Sequence, residues 1–142
     1  MDTSLYIDAL RTEQGRRDLA VFHAAFAPFE QLSTVVAHEL RAGVRGRPAA
    51  RLEHTIISPF EQRGRVTTPS YSAWKEAGRV MSELVGPAGW RSVPRSFVND
   101  VLLAMSCRES GFVLVTANVR DFKRIAAVRS FDFVPPWPTP TH

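Results

Sequence analysis

The chain has 142 residues, of which 44% are hydrophobic and 23% charged, and this composition is typical of one folded domain rather than a disordered protein. No apolar run approaches the roughly 20 residues of a membrane-spanning helix, and the N-terminus lacks the basic and apolar regions of a signal peptide. The single cysteine, Cys107, can form neither an internal disulfide nor a cysteine-rich zinc site, so we expect a cytoplasmic protein with no membrane partner.

The charge balance favours a polyanionic partner. The chain has 18 Lys and Arg residues against 14 Asp and Glu residues, for a net charge of +4. If four of the acids share one site, the rest of the surface carries a larger positive excess, which suits a nucleic acid delivered to an acidic pocket. The alternative is that the arginine content reflects the base composition of the genome and carries no functional meaning.

The first quarter of the chain predicts two helices. Apolar residues from Leu5 recur at helical spacing, and the capping residue is expected among residues 2–4. We expect Gly15 to end this helix and a second helix to run over residues 16–26.

The next stretch predicts a strand followed by a helix. Residues 32–36 read L-S-T-V-V, a short and largely β-branched run that indicates a buried strand. The sequence A-H-E-L-R-A-G after it predicts a helix that contains Glu39 and ends at Gly43. Glu39 therefore lies just beyond the predicted strand.

The middle of the chain predicts more helix than strand. A helix is expected from Pro48, at its first turn, to about Gln62, and the sequence R-V-T-T-P after it predicts a brief strand. A long helix is expected over Tyr71–Val85, with Trp74 among its inward residues, before the loop G-P-A-G.

The last third of the chain contains the stretch N-D-V-L-L-A-M-S-C-R-E-S-G-F-V-L-V-T-A-N-V-R-D-F. It predicts a helix carrying Asp100, a buried strand over Phe112–Val115, and a second helix carrying Asp121. The alternating residues 130–134 predict a final strand. Helices that alternate with short apolar strands predict an α/β fold with a parallel sheet covered on both faces. We expect one domain over residues 1–134 and an extended proline-rich tail over residues 135–142.

Four acids lie close to predicted strand-to-helix junctions. Open α/β sheets place their chemistry at the carboxyl ends of parallel strands, so these carboxylates are candidates for one shared site. Carboxylate oxygens are preferred ligands of Mg²⁺ and Mn²⁺, and such an ion can activate a water molecule and stabilise charge on a phosphoryl oxygen. The acids are Asp2, Glu39, Asp100 and Asp121.

Each acid also has a purely structural interpretation. Asp2 has the position of a helix cap, and Glu39 and Asp100 have the position of first-turn acids that a helix dipole favours. Asp121 follows Asn118 in a capping arrangement. These interpretations explain the acids one by one, but they do not explain why all four have the same kind of setting.

The order of motifs resembles the PIN-domain ribonucleases, and within them the small single-domain toxins of the VapC type. The motifs are Asp-Thr near the start, a Glu after the second strand, N-D-V-L-L-A, and T-A-N-V-R-D-F, and the match covers nearly the whole chain. The resemblance implies a PIN-like three-layer α/β/α fold, Mg²⁺ or Mn²⁺ in an acidic pocket, and hydrolysis of RNA phosphodiester bonds. It also implies a cognate antitoxin protein and a homodimer, with the helices over residues 13–26 and 71–85 as candidate contact surfaces.

The resemblance assigns roles to seven residues. The metal-binding and catalytic acids would be Asp2, Glu39, Asp100 and Asp121, with Asp2 and Asp100 holding the first ion most directly, and the supporting residues would be Thr3, Thr116 and Asn118. Thr3 is expected to steady Asp2. His38, next to Glu39, is interpreted as a helix-surface residue rather than a ligand.

One feature departs from the family pattern. An apolar strand normally precedes the first aspartate, whereas only Met1 precedes Asp2 here, so either the start codon is assigned too late or the first strand is absent. The terminal amine, with a pKa of about 7.7–8.0, would then compete with the metal ion. We expect the reading frame upstream of Met1 to encode a short apolar run, and a stop codon immediately upstream would refute this.

Two other functions compete with the ribonuclease. A PIN-like module could bind RNA or a partner without cutting, and the missing strand favours that alternative while the four acids oppose it. An unrelated metal phosphohydrolase is disfavoured because Asp2 is followed by Thr3 and Ser4 rather than by a D-x-D motif. No P-loop, dinucleotide-binding or zinc-ligand spacing occurs, so ATP, NAD and zinc chemistry are not expected.

Overall fold

The structure, a computed structural model, describes residues 1–139, so Pro140 to His142 of the expected tail lie outside the described residues. It is a mostly helical α/β fold with short strands. The chain forms two compact units: unit 1 comprises residues 1–67, 115–117 and those from Pro135 onward, and unit 2 comprises residues 68–114 and 118–134.

Unit 1 is built from helices around one pair of strands. Its elements are α1 (Thr3–Arg11), α2 (Glu13–Phe26), a 3₁₀ turn (Ala27–Phe29), β1 (Leu32–Ser33), α3 (Thr34–Gly43), α4 (Arg47–Arg51), a π-helical segment (Leu52–Ile57), α5 (Ser58–Gln62) and β2 (Val66–Thr67). The helical stretch predicted from Pro48 to Gln62 is confirmed, with a π-helical segment inside it. The strands β1 and β2 are parallel, with Leu32 opposite Val66.

The prediction that Gly15 ends the first helix is wrong. Helix α1 ends at Arg11, and Thr12 caps α2 by accepting a hydrogen bond from the Gly15 amide at 2.9 Å. Gly15 lies buried inside α2, where an added Cβ would come within 2.6 Å of the Asp8 carbonyl group of α1. The glycine therefore permits close packing of two helices rather than a chain break.

The strand predicted over residues 32–36 is also mostly wrong. It ends at Ser33, whose side chain accepts a hydrogen bond from the Val35 amide at 3.2 Å and caps α3. Val36 is fully buried on that helix. A short apolar run fits a buried helix as well as a strand. Here the serine cap and the packing of α3 favour the helix. As a result, Glu39 lies in the second turn of α3 rather than directly after a strand.

Unit 2 contains three helices with well-defined ends. Its elements are α6 (Tyr71–Trp90), α7 (Arg95–Ser110), β3 (Leu114–Val115, of which Val115 belongs to unit 1), α8 (Val119–Val128) and β4 (Phe133–Val134). Gly86 interrupts α6 with φ 62° and ψ 178°, so regular helix ends at Val85 as predicted. The predicted strand over Phe112–Val115 is shorter, since Phe112 and Val113 are exposed and only the last two residues are strand.

The core of unit 2 is centred on α7 and α8. Residues 101–107 of α7 are buried at every position, and Phe122 and Ile125 of α8 are completely buried. The Phe122 ring also contacts the rings of Phe131 and Phe133, beside β4, with centroids 6.0 and 6.4 Å away. These contacts fix the orientation of α8, which carries Asp121.

The prediction that Trp74 points inward is wrong. The inward face of α6 is formed by Ala73, Ala77, Val80 and Met81, and Trp74 lies beside that face with 58% of its surface exposed. A helix that buries residues at spacings of three and four leaves the neighbouring position outside the core.

The environments of Cys107 and Trp137 and the length of the helices complete the description of the fold. Cys107 is buried, and burial raises the pKa of its thiol. Trp137, in the proline-rich tail, lies with its ring centroid 5.7 Å from that of Phe22. Across residues 1–139, no helix has both the length and the apolar character that crossing a membrane requires.

Candidate active site

Asp2 is held by the end of strand β3. Its Oδ2 atom accepts a hydrogen bond from the Thr116 hydroxyl at 2.6 Å, and both side chains are buried. The Asp2 amide donates to the Val115 carbonyl at 2.9 Å. Although Asp2 occupies the cap position of α1, its side chain makes no capping hydrogen bond. The structural interpretation of Asp2 as a helix cap therefore fails, and the carboxylate is fixed by a residue 114 positions away.

Glu39 is positioned by α1. Its Oε1 atom accepts a hydrogen bond from the Thr3 hydroxyl at 2.9 Å, and the side chain is partly buried. Thr3 was expected to steady Asp2, its neighbour in sequence, and the structure gives it a different acid. Thr3 is the first residue of α1, and α1 packs on α3, which carries Glu39.

Asp100 and Asp121 share one amide donor in unit 2. The Asn118 Nδ2 atom donates to Asp121 Oδ2 at 3.0 Å and lies 3.5 Å from Asp100 Oδ2. Asn118 immediately precedes α8, but its side chain makes no capping hydrogen bond and instead joins the two acids. The carboxylates of Asp100 and Asp121 therefore lie next to the same neutral amide group.

The seven predicted residues thus form three hydrogen-bonded groups. Unit 1 contains the groups Thr116–Asp2 and Thr3–Glu39, and unit 2 contains the group Asp100–Asn118–Asp121. Each unit by itself provides two of the four predicted acids. Over residues 1–139, no three or more His, Cys, Asp and Glu side chains are arranged so that they could hold a metal ion.

Carboxylate oxygens of the kind that these acids provide suit a hard cation. Asp2, Glu39 and Asp121 accept hydrogen bonds from neutral hydroxyl or amide groups, and within residues 1–139 none of them pairs with Lys or Arg. Their charge is therefore not neutralised by the protein's own basic side chains, although the chain has 18 of them. Acidic residues elsewhere do pair: Arg41 contacts Glu53 at 2.5 and 3.0 Å and lowers the pKa of that carboxyl.

Sequence reasoning missed a basic face beside one of the acids. Arg120, Lys123 and Arg124 are exposed on α8, the helix that carries Asp121. The amino-acid sequence indicates this face through basic residues at the spacings i, i+3 and i+4 around the aspartate. His38 is exposed on α3, as interpreted from the sequence.

Comparison with solved structures shows the same fold in proteins of low sequence identity. A chain in the structure of FitAB bound to an IR36 DNA fragment matches with a TM-score of 0.66 and 17% identity, covering 99% of this chain and 96% of that chain. A chain in the crystal structure of VapBC2 from Rickettsia felis, bound to a DNA fragment from their promoter, matches with a TM-score of 0.64 and 20% identity, covering 96% of each. No protein-family model and no curated protein sequence matches the chain.

Proposed function

We propose that the protein is a Mg²⁺- or Mn²⁺-dependent endoribonuclease of the PIN-domain type and the toxin of a type II toxin–antitoxin pair. The observation that carries the proposal is a pair of hydrogen-bond donors in the short segment after β3. Thr116 in this segment donates to Asp2, and Asn118, two residues later, donates to Asp121 and lies next to Asp100. Three of the four acids that match the family motifs therefore contact side chains of residues 116–118, each within its own unit.

The structural likeness supports the same assignment. One of the complexes described above is VapBC2, whose name corresponds to the VapC-type toxins that the sequence motifs resemble. The match extends over nearly the full length of both chains, which fits a small single-domain toxin with the PIN-like three-layer arrangement. A cognate antitoxin protein, RNA as substrate, a homodimeric state and a cytoplasmic location are parts of this proposal.

The proposed site would bind the ion through carboxylate oxygens. Asp2 and Asp100 would hold it most directly, and Glu39 and Asp121 would complete the acidic set. The ion, when bound, supplies an activated water molecule and stabilises negative charge on the phosphoryl oxygens. Thr116, Thr3 and Asn118 orient the carboxylates through the hydrogen bonds described above, and such supporting contacts are worth about 10–100-fold in metal affinity or activity.

The direct test is RNA cleavage by the purified protein with Mg²⁺ or Mn²⁺ and with EDTA, for the wild type, Asp100→Asn and Asp132→Asn. Asp132 is exposed in the same unit, so its variant removes the same charge away from the proposed site. We expect cleavage that needs the metal, disappears in Asp100→Asn and persists in Asp132→Asn. Cleavage that survives EDTA, or equal activity of the two variants, would contradict the proposal.

The second candidate is a PIN-like module that binds RNA or a protein partner without cutting. The observation that favours it is that each unit, taken alone, holds only two of the predicted acids, with no group of three arranged for a metal ion within residues 1–139. RNA binding that is unchanged by EDTA, together with no cleavage by the wild type in either metal, would establish this function instead.

A further inference from the structure

Helix α8 has a basic face opposite its buried face. Arg120, Lys123 and Arg124 are exposed, and their spacings of three and four residues place them on one side of the helix. Phe122 and Ile125, on the other side, are completely buried in unit 2. At about 1.5 Å of rise per residue, the three basic positions span about 6 Å along the helix axis.

The basic side chains of this face form no ion pair with an acidic residue among residues 1–139. Within residues 1–139, Arg120 and Lys123 form no ion pair or side-chain hydrogen bond, and the contacts of Arg124 are with neutral groups. By contrast, Arg79 and Arg129 of the same unit both pair with Glu76, at 2.8 and 2.9 Å. Like charges at these spacings repel one another and lower the stability of the helix slightly. An anionic ligand bound to them would remove this repulsion.

Arg124 is held in a fixed orientation. Its guanidinium carbon lies 5.0 Å from the centroid of the buried Phe97 ring, and its Nη2 atom lies 3.5 Å from the Leu84 carbonyl oxygen. A guanidinium stacked on an aromatic ring loses less conformational freedom when it binds, and its planar fork matches the geometry of a phosphate. One of the three cations is thus arranged before any ligand arrives.

The basic face is adjacent to a proposed catalytic carboxylate. Asp121 directly follows Arg120 on α8 and receives the hydrogen bond from Asn118, which also lies next to Asp100. Because α8 is anchored by Phe122 and Ile125, the basic face and Asp121 belong to one rigid element. A strand whose phosphates contact the three basic residues would pass beside this pair of acids.

We propose that Arg120, Lys123 and Arg124 bind consecutive phosphates of single-stranded RNA next to the scissile bond and position the strand at Asp121. This inference rests on the proposed ribonuclease function. No aromatic side chain is exposed on α8, so the contact is with the sugar–phosphate backbone and is independent of base sequence. Selection of particular RNAs would then depend on other surfaces.

The binding test separates this inference from cleavage. All chains carry Asp100→Asn and are kept in EDTA, so that no RNA is cut. Their affinity for a fluorescein-labelled single-stranded RNA of mixed sequence is measured by fluorescence anisotropy over a range of salt concentrations. The test chain adds Arg120→Gln and Lys123→Gln. The matched control adds Arg16→Gln and Arg63→Gln, which removes the same charge from two exposed arginines of unit 1 that form no ion pair within residues 1–139.

We expect the test chain to bind RNA at least about 10-fold more weakly, with a salt slope that falls by about 0.7 for each phosphate that the protein no longer neutralises. The control should stay within about threefold of the parent, and a chain with Arg120→Lys and Lys123→Arg should do the same, because phosphate binding needs charge rather than identity. Equal weakening of test and control chains would overturn the inference, since it would show a general effect of net charge. Unchanged binding by the test chain would also overturn it.

Cleavage by chains with an intact Asp100 provides a second readout. A positioning role predicts that Arg120→Gln with Lys123→Gln raises KM about 10-fold or more while kcat changes by less than about threefold. If the wild type does not cut RNA but the test chain still loses RNA binding, the proposed function fails and the basic face stands as a binding surface. If both KM and RNA binding are unchanged, the basic face has no role in RNA binding, and the proposed ribonuclease function still stands.

Discussion

At the scale of single residues, Thr116 is the most deeply buried residue of the proposed site. It is completely buried at the end of β3, and its hydroxyl donates to a carboxylate that is itself 6% exposed. A buried carboxylate without a hydrogen-bond partner is costly, so Thr116 both stabilises the fold and fixes Asp2. Stability and activity are therefore coupled at this residue.

The change Thr116→Val tests that coupling, because valine keeps the shape of threonine and removes the donor. We expect a loss of about 1–3 kcal/mol in the free energy of unfolding, measured by urea denaturation, since Asp2 is left buried without this hydrogen bond. Thr116→Ser retains the hydroxyl and loses one methyl group, so it should cost about 1 kcal/mol and keep the RNA cleavage rate within a few-fold. A valine variant as stable and as active as the wild type would show that the Asp2–Thr116 contact is unimportant.

The sequence located the polar residues of the site better than it located their partners. Thr116 and Asn118 were expected to support the acids, and both donate hydrogen bonds to them. Thr3 was assigned to Asp2 because the two are adjacent in sequence, whereas its hydroxyl points to Glu39 on α3. A motif identifies residue types, but the direction of a side chain depends on how helices pack, and that information is not local.

At the scale of elements, helices were predicted more reliably than strands. The helices α6 and α8 have periodic apolar patterns, and their positions follow from the sequence. The strands are only two residues long, so no period-two pattern can develop. At residues 34–36, a β-branched run that favours a strand is helical, because the Ser33 cap and burial of Val36 outweigh the modest helix penalty of valine.

The hairpin of α1 and α2 gives a test of close helix packing. Gly15→Ala would place a Cβ within 2.6 Å of the Asp8 carbonyl atoms, so the two helices must move apart. We expect a loss of about 1–3 kcal/mol of unfolding free energy from overpacking, although alanine is the better helix former. Gly43→Ala, in α3 with nothing within 4 Å of the new Cβ, is the matched control and should be neutral or stabilising by up to about 1 kcal/mol. Equal effects of the two changes would exclude a special role for Gly15.

At the scale of the whole molecule, helix α6 has exposed aromatic residues that the packing of the core does not explain. Tyr71 is 81% exposed and Trp74 is 58% exposed on the outward face of α6. Gly78 and Ser82 continue this face at helical spacing, and a Cβ on Gly78 would meet nothing within 4 Å. Exposed aromatic residues are enriched at protein–protein interfaces, so we expect the proposed homodimer to form through this face.

We expect two copies of α6 to pack on each other about a two-fold axis near Gly78. An antiparallel crossing there would place the bulky Trp74 of each copy over the small Ser82 of the other, so that one surface is complementary to itself. We expect the wild type to elute as a dimer in size-exclusion chromatography with light scattering, and Trp74→Glu to elute as a folded monomer because a carboxylate would be buried in the interface. Trp90→Glu alters another tryptophan, 55% exposed and beyond the Gly86 break, and should remain dimeric. A monomeric wild type, or a dimer that tolerates Trp74→Glu, would rule out α6 as the dimer surface.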